Sequence, residues 1–390
     1  MVAGVAIAAS YEVPPTRYPE VSPHNLYRQV AFAALSEWGL RPSDVNGLLA
    51  VPSGQGVNEI DIYTHEKLGS ELGLTPGFAE TLNAGGASFA IMVGRAASAI
   101  RDGLADCVLC IGAGKFTKPG AGGAEVMARM ISEPDFEIGY GPFIPALYAL
   151  IASRFMAERG VTSADLARVA VSARQWALHN PRAFMHAKGA ISVDDVLNSR
   201  MISTPLHYLD CSVPCDGGGA VLVTTDEKAR QLTRQPAYLL GYGEAHSHGS
   251  ISSAGERLVQ TLATRTGASA FSSAGLSPSD MDMAMLYDAF SFTPLLLLEN
   301  LGFTPPGRSA AFVQSGAMDP GGSLPVNTNG GLLSFGHTGE ASGMSVLVEG
   351  VRQIMSQAGR NQLDRARTAL VHCYGGMMYE HATLILGRSR

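Results

Sequence analysis

The chain predicts an α/β protein in which one βα pattern is used twice. Short apolar runs that read as strands alternate with segments whose apolar residues recur at intervals of three and four. That alternation implies right-handed crossovers and a mostly parallel sheet covered on both faces. After Asp226 to Arg234 the same order of elements begins again, which predicts an internal duplication with halves at 1–230 and 231–390. A third observation breaks the symmetry. Residues 115–210 form a long excursion between two strands, expected to lie over the strand ends and shape a pocket there.

In the first half, Val2 to Ala9 reads as a strand, and His24 to Gly39 as an amphipathic helix started by Ser22-Pro23 and ended by its glycine. Val45 to Val51 is a strand, Ile60 to Leu72 a helix, and Ala84 to Ile100 a helix of small apolar residues. Cys107 to Gly112 is the next strand. The excursion opens at Lys118-Pro119-Gly120 with a flexible character and contains two helices, Tyr148 to Arg159 and Ala164 to Leu178. Pro214 to Val223, PCDGGGAVLV, returns to the sheet. The second half repeats: strand Ala237 to Tyr242, helix Gly255 to Ser273, strand Met283 to Tyr287, helix Pro294 to Asn300. It closes with strands Thr368 to Cys373 and Ala382 to Leu386.

A chain of 390 residues suits two domain-sized units or one large α/β body. A hydrophobic content of 46% against 16% charged residues fits a globular protein with much buried surface, including a subunit interface. A net charge of −6 gives no general attraction to nucleic acid, so a nucleotide-bearing ligand calls for a local basic patch such as Lys115, Lys118 and Lys188. Five cysteines, an odd and small number, argue for a reduced cytosolic chain, and no secretory signal or membrane span is evident. Cys107 and Cys110, with Cys211 and Cys215, could supply four thiolates to zinc, but the first pair points to opposite faces of a strand.

The stretch that organises the rest is Val326 to Arg352. It passes through Gly330-Gly331 and Gly336-His337-Thr338-Gly339, then becomes a helix with apolar residues at Met344, Leu347, Val348, Val351 and Ile354. A tight glycine turn thus presents one imidazole at the start of a buried helix, where unpaired N–H groups favour developing negative charge. Taken alone, this reads as well as a glycine-rich connection with a core histidine. A second site, Cys373-Tyr374-Gly375-Gly376, follows a strand-like run near the end of the chain.

GHTGEASG and CYGG together resemble the two C-terminal signatures of the thiolase superfamily. HNPRAF (His179 to Phe184), SVDDVLNSRMISTPL (Ser192 to Leu206) and CDGGGA (Cys215 to Ala220) resemble the branch that includes the thiolase domain of sterol carrier proteins. The resemblance implies a five-layered αβαβα thiolase fold with an inserted loop domain. It also implies that His337 binds the thioester oxygen and that Cys373 moves a proton at the α-carbon. Two positions depart from the family. Its nucleophilic cysteine, activated by a helix start, falls here at Gly86 in Asn83-Ala84-Gly85-Gly86-Ala87-Ser88, and Ser88 is a poor substitute. Tyr287-Asp288-Ala289-Phe290 stands where the family has a His or Asn at the first position.

A lost nucleophile with a gained phenol resembles the thiolase-like aldolases of steroid side-chain breakdown, although a second tyrosine expected near His337 is absent. The resemblance implies retro-aldol cleavage of a β-hydroxyacyl-CoA without an acyl-cysteine. Tyr287 would be the base, His337 the oxyanion donor, worth roughly 3–4 kcal/mol, and Cys373 the acid. Asp288, Asn327 and Asn329 would orient these groups, and Gly375 and Gly376 would give N–H donors or clearance. No cofactor or metal is expected beyond the coenzyme A of the substrate. A β-ketoacyl-CoA thiolase and a non-catalytic acyl-CoA-binding subunit are the alternatives. A homodimer pairing through Phe78 to Leu82 is expected, as is a small partner with an OB fold and zinc ribbon. Glu340, an acid at a helix start, repels an anion there and so favours sharing the nucleotide with that partner.

Overall fold

The computed structural model describes residues 4–57, 59–117 and 122–390. Lys118-Pro119-Gly120 and the first residues of the Val2 strand lie outside them. The first half runs β1 (Val5–Thr16), α1 (Pro23–Trp38), β2 (Gly47–Ala50), α2 (Thr64–Leu72), β3 (Phe78–Thr81), α3 (Ser88–Arg101) and β4 (Cys107–Gly114). The insertion carries α4 (Gly123–Ile131), α5 (Ile144–Arg159), α6 (Ser163–His179), α7 (Val193–Leu197) and a small hairpin, β5 (Met201–Ser203) with β6 (Leu206–His207). β7 (Asp216–Thr225) returns to the sheet and α8 (Asp226–Leu232) leads out of it.

The second half begins with β8 (Ala237–His246), α9 (Ala263–Ala274), β9 (Met283–Leu286), α10 (Phe292–Asn300) and α11 (Ser309–Gln314). It ends with α12 (Gly331–Ser334), α13 (Ser342–Ile354), β10 (Thr368–Gly375) and β11 (Glu380–Gly387).

Nine strands form one sheet in the order β3-β2-β4-β7-β1-β8-β11-β10-β9. Val326 adds a parallel bridge to β9 at Ala284. The order on the far side therefore repeats the near side, with β9, β10, β11 and β8 in the places of β2, β4, β7 and β1. This is the duplication in physical form. The layers follow from burial. α13 is buried along its length except at Arg352, and α3 is buried on most of its faces, so both lie inside the molecule. Each packs against strands of both halves, while α1 covers β1, β4 and β7 on one outer side and α9 covers β8 and β11 on the other. The result is the five-layered αβαβα arrangement.

Several expectations need correction. The sheet is mixed, not mostly parallel. β2 with β3, β2 with β4, and β9 with β10 are parallel, but β7 pairs antiparallel with both β4 and β1, and β11 with both β10 and β8. A tight turn from β10 into β11 admits only antiparallel pairing. The second helix starts at Thr64 because Asp61 is taken into a two-way backbone bridge with Ser53. The third starts at Ser88, after a turn in which Gly85 has φ +53°. In the stretch Gly255 to Ser273, only Ala263 onward is α-helical, since the Asn300 side chain holds the Thr261 N–H. β1 and β8 run well past the ends read from the sequence, and α4 was not foreseen.

Candidate active site

β9 and β10 run parallel with Leu286 opposite His372, and the Tyr287 N–H continues the ladder to the His372 carbonyl at 3.0 Å. Tyr287 and Cys373 thus leave the carboxyl ends of neighbouring strands side by side, where open α/β sheets place their ligands. Tyr287 is 6% exposed and Cys373 fully buried. The stretch 210–215, the return from the insertion, fastens the loops that carry Tyr287 and His337. Ser212 N–H donates to Ala289 O at 2.9 Å, His337 N–H to Val213 O at 2.8 Å, and Cys215 N–H to His337 O at 3.0 Å.

The side chains then converge on one oxygen. The Tyr287 hydroxyl lies 3.0 Å from His337 Nε2 and 2.7 Å from Ser342 Oγ. Its ring meets Tyr374 edge-on with centroids 4.9 Å apart. The other face of the arrangement is the Gly86 turn. A Cβ at Gly86 would fall 2.4 Å from Tyr287 Cε2, 2.5 Å from its Cζ and 2.5 Å from the Tyr374 carbonyl oxygen. The phenol and the Tyr374 carbonyl therefore share the room that any side chain at position 86 would need. The two departures read from the sequence are one steric exchange.

Ser88 is committed elsewhere: its Oγ accepts from Ala84 N–H at 2.9 Å and donates to Gly85 O at 2.7 Å, closing the turn. Asp288 accepts from the Leu332 N–H at 2.7 Å and the Leu333 N–H at 3.4 Å, at the start of α12. Asn327, in the left-handed region at φ 55°, accepts from Leu286 N–H at 2.7 Å. Asn329 accepts from Gly331 N–H at 2.9 Å and donates to Ser345 O at 3.3 Å. All three support the loops and none reaches the phenol oxygen. A Cβ at Gly375 would lie 2.0 Å from Ala84 O, so its bareness makes room for the Gly85-Gly86 turn. Gly376 O accepts from the Tyr148 hydroxyl at 2.6 Å. Tyr148 on α5, stacked on Phe290 at 4.6 Å, and Phe116, tilted against His337 at 5.2 Å, bring the insertion to the site.

Electrostatics follow from burial. Desolvation raises the Tyr287 pKa, with the Ser342 hydrogen bond acting against it. It also raises the Cys373 thiol, which therefore rests protonated and not as a thiolate. Desolvation pushes Asp288 up to about 7 against its backbone donors. His337, a partly exposed residue, is lowered to about 4 by desolvation. The imidazole is then neutral across the neutral range. Because the unfolded chain binds a proton near ~6.5 and the folded one does not, this group's stabilising contribution is lost as pH falls from there toward 4. Nitrogen NMR should find His337 neutral down to about pH 4. A titration at the ordinary ~6.5 would contradict the burial argument.

Two readings of charged residues change. Lys115 Nζ is bound to Tyr18 O at 2.6 Å and to Val21 O, which leaves it a poor phosphate ligand. Glu340 does not stand open as an anion repellent. Its carboxylate accepts from Gln55 N–H at 3.1 Å and Gly56 N–H at 3.2 Å, and desolvation raises it to about 7. Lys188 is exposed. No group of three or more metal-ligating side chains occurs among the described residues. Ser342, Tyr374 and Tyr148 escaped the sequence reading. Ser342 lies inside GHTGEASG, and its place at a helix start beside the imidazole was the available signal.

Comparison with known proteins follows the same lines. A steroid side-chain-cleaving aldolase of Thermomonospora curvata is 34% identical over 377 residues, 93% of this chain and 92% of that one. An acetyl-CoA acetyltransferase of Methanothermobacter thermautotrophicus is 30% identical over 359 residues, 92% of each chain. The chain belongs to the thiolase superfamily. Residues 243–388 match the family described as thiolase C-terminal domain-like. The solved Ltp2-ChsH2(DUF35) aldolase superposes with a TM-score of 0.86 at 30% identity, covering 99% of this chain and 98% of that chain. These superfamily members are named for both carbon–carbon cleavage and acyl transfer.

Proposed function

We propose that this chain is a thiolase-like lyase that cleaves a β-hydroxyacyl-CoA by retro-aldol reaction, giving an aldehyde or ketone and a shorter acyl-CoA. The observation that carries this is the phenol seated where a nucleophile at position 86 would stand. Acyl transfer through an enzyme thioester has no sulfur to use there, and Cys107 and Cys110 lie within β4, buried. Tyr287 takes the β-hydroxyl proton. His337 faces the thioester oxygen as charge collects on it, and Cys373 protonates the α-carbon of the enolate. A proton-donating thiol beside a phenol–imidazole pair is more than binding alone requires, which counts against a non-catalytic subunit.

The test is a panel of β-hydroxyacyl-CoAs with the carbonyl product identified by mass. Two thioester products, as a thiolase gives, would overturn the reading, and binding without turnover would return it to a binding subunit. His337→Ala should be severely impaired in the same assay, and Cys373→Ser partly to severely impaired.

The quaternary arrangement belongs to the same proposal. β3 pairs with β2 alone among the described strands, which leaves its other edge to be covered. Ile62 and Tyr63, 59% and 60% exposed, lie just before α2, and His65 N–H of that helix donates to Thr81 Oγ1 of β3. A homodimer through this edge buries them. Size-exclusion chromatography with light scattering should show a dimer at micromolar concentration, and a monomer would remove the idea.

An OB-fold and zinc-ribbon partner would share the coenzyme A and pack on the insertion, where Phe136 and Tyr140 are 69% and 90% exposed. The name of the Ltp2-ChsH2(DUF35) aldolase couples two components. Expression of the chain alone and with its operon neighbour tests the partner. Full activity and ordinary solubility of the isolated chain would rule out an obligatory one.

A further inference from the structure

We propose that Ser342 is the positioning residue that makes Tyr287 a working base, by donating its hydroxyl proton to the phenol oxygen so that the phenol's own proton faces His337 Nε2. This rests on the lyase reading and deepens it. Ser342 is 1% exposed and is the first residue of the buried helix α13. Among the described residues its Oγ has one hydrogen-bond partner, the Tyr287 oxygen at 2.7 Å. Tyr287 in turn has two, and the second is Nε2 at 3.0 Å. A phenol has one proton to give. If it went to Ser342 it would reach a hydroxyl that is no base, whereas at Nε2 it reaches an imidazole that is neutral and can accept. The positive end of α13 also favours the polarity in which an electron-rich oxygen receives the serine proton.

The other groups nearest Tyr287 do not compete for its proton. Cys373 on β10 is a thiol kept protonated by burial, Asp288 is turned to the start of α12, and the Tyr374 ring meets the phenol ring edge-on. Burial also opposes a free phenolate, so Tyr287 must release one proton as it takes another. In the step, the substrate β-O–H proton passes to the Tyr287 oxygen while the Tyr287 proton passes to His337 Nε2. The Cα–Cβ bond breaks, its electron pair becomes the thioester enolate, and the β-carbon becomes a carbonyl. The imidazolium formed in that same event supplies positive charge that offsets the new negative oxygen. Cys373 then gives its proton to the α-carbon. The imidazolium proton returns to the phenol oxygen as the phenol passes its own proton to the Cys373 sulfur. No proton is gained or lost overall.

The test uses the protein in whatever oligomer or complex proves active, with a substrate identified by the panel. Ser342→Ala should lower kcat by about 100-fold, the range of a positioned proton transfer, while KM and the thermal midpoint stay near wild type. Ser342→Thr, which keeps the hydroxyl, should recover most of the lost rate. A Ser342→Ala kcat within twofold of wild type would overturn the proposal, as would a loss that threonine leaves unrelieved. A proton inventory on single-turnover cleavage by the wild-type protein is independent of any variant's folding. A curved inventory is the expected outcome of two protons moving together, and a linear one would overturn the relay. Failure of the wild type to release any carbonyl product fails the lyase reading itself, while carbonyl release with an indifferent Ser342→Ala fails only this step.

Discussion

Tyr287→Phe should abolish carbon–carbon cleavage and leave the fold and the affinity for acyl-CoA nearly intact. The substitution removes one oxygen and keeps the ring that packs over Gly86 and against Tyr374. That ring is the structural part of the residue, since it fills a space and makes an edge contact worth about 1 kcal/mol. The hydroxyl is the chemical part, with its hydrogen bonds to His337 and Ser342. Its loss leaves both partners unpaired, Ser342 fully buried and His337 partly so, at a stability cost of about 1–3 kcal/mol, which a domain of this size withstands. On catalysis the loss removes the group proposed to receive the β-hydroxyl proton, and a decrease of about 10²–10⁴-fold or more is expected. Turnover near wild type by this variant would sink the mechanism. The companion measurement is acyl-CoA binding by calorimetry, which separates lost chemistry from lost substrate.

How much of this was legible in the sequence depends on the range of the interaction. The imidazole turn could be read because glycine punctuation, a histidine and a helical period all fall between Gly330 and Ile354. The missing nucleophile could be read only against a family pattern, since Gly-Gly-Ala-Ser carries no chemistry of its own. What stayed hidden were contacts between segments far apart in the chain. Nothing near Gly86 announces that Tyr287, about two hundred positions on, takes its space. The strand hydrogen bonds that bring β10 beside β9, and the proximity of Ser342 to the phenol, are likewise products of the fold. Local charge was misleading for the same reason. Lys115 and Glu340 look available in the sequence, yet each is consumed by backbone groups of distant loops, Tyr18 and Val21 for one, Gln55 and Gly56 for the other. The insertion was placed over the site on the argument of its length, and Tyr148 and Phe116 are the side chains by which it arrives there.

Gly86→Ala should be nearly as damaging to activity as loss of the phenol, although it removes no functional group. Gly86 is not among the glycines with positive φ, so alanine is acceptable to the backbone and any effect comes from contact. The added methyl would sit 2.4 Å from the Tyr287 ring and 2.5 Å from the Tyr374 carbonyl, distances at which one of the three must move. The carbonyl belongs to β10, paired along its length with β11, and yields least. The ring yields first, and it swings its hydroxyl off both Nε2 and Ser342 Oγ. Overpacking of this kind costs about 1–3 kcal/mol in stability, a moderate drop in melting temperature. The hydrogen bonds to a displaced hydroxyl weaken steeply with distance and angle, so a loss of kcat of about 100-fold is expected, as for removal of a proton-transfer partner. The companion variant Gly86→Ala with Tyr287→Ala removes the methyl's contact with the ring and leaves only the one with the Tyr374 carbonyl. It should be less destabilised than the sum of its two parts, because residues in contact are not additive, while remaining inactive. Wild-type activity in Gly86→Ala, or strict additivity in the double variant, would mean that the phenol does not occupy the nucleophile's place, and the argument against acyl-enzyme chemistry would lose its physical basis.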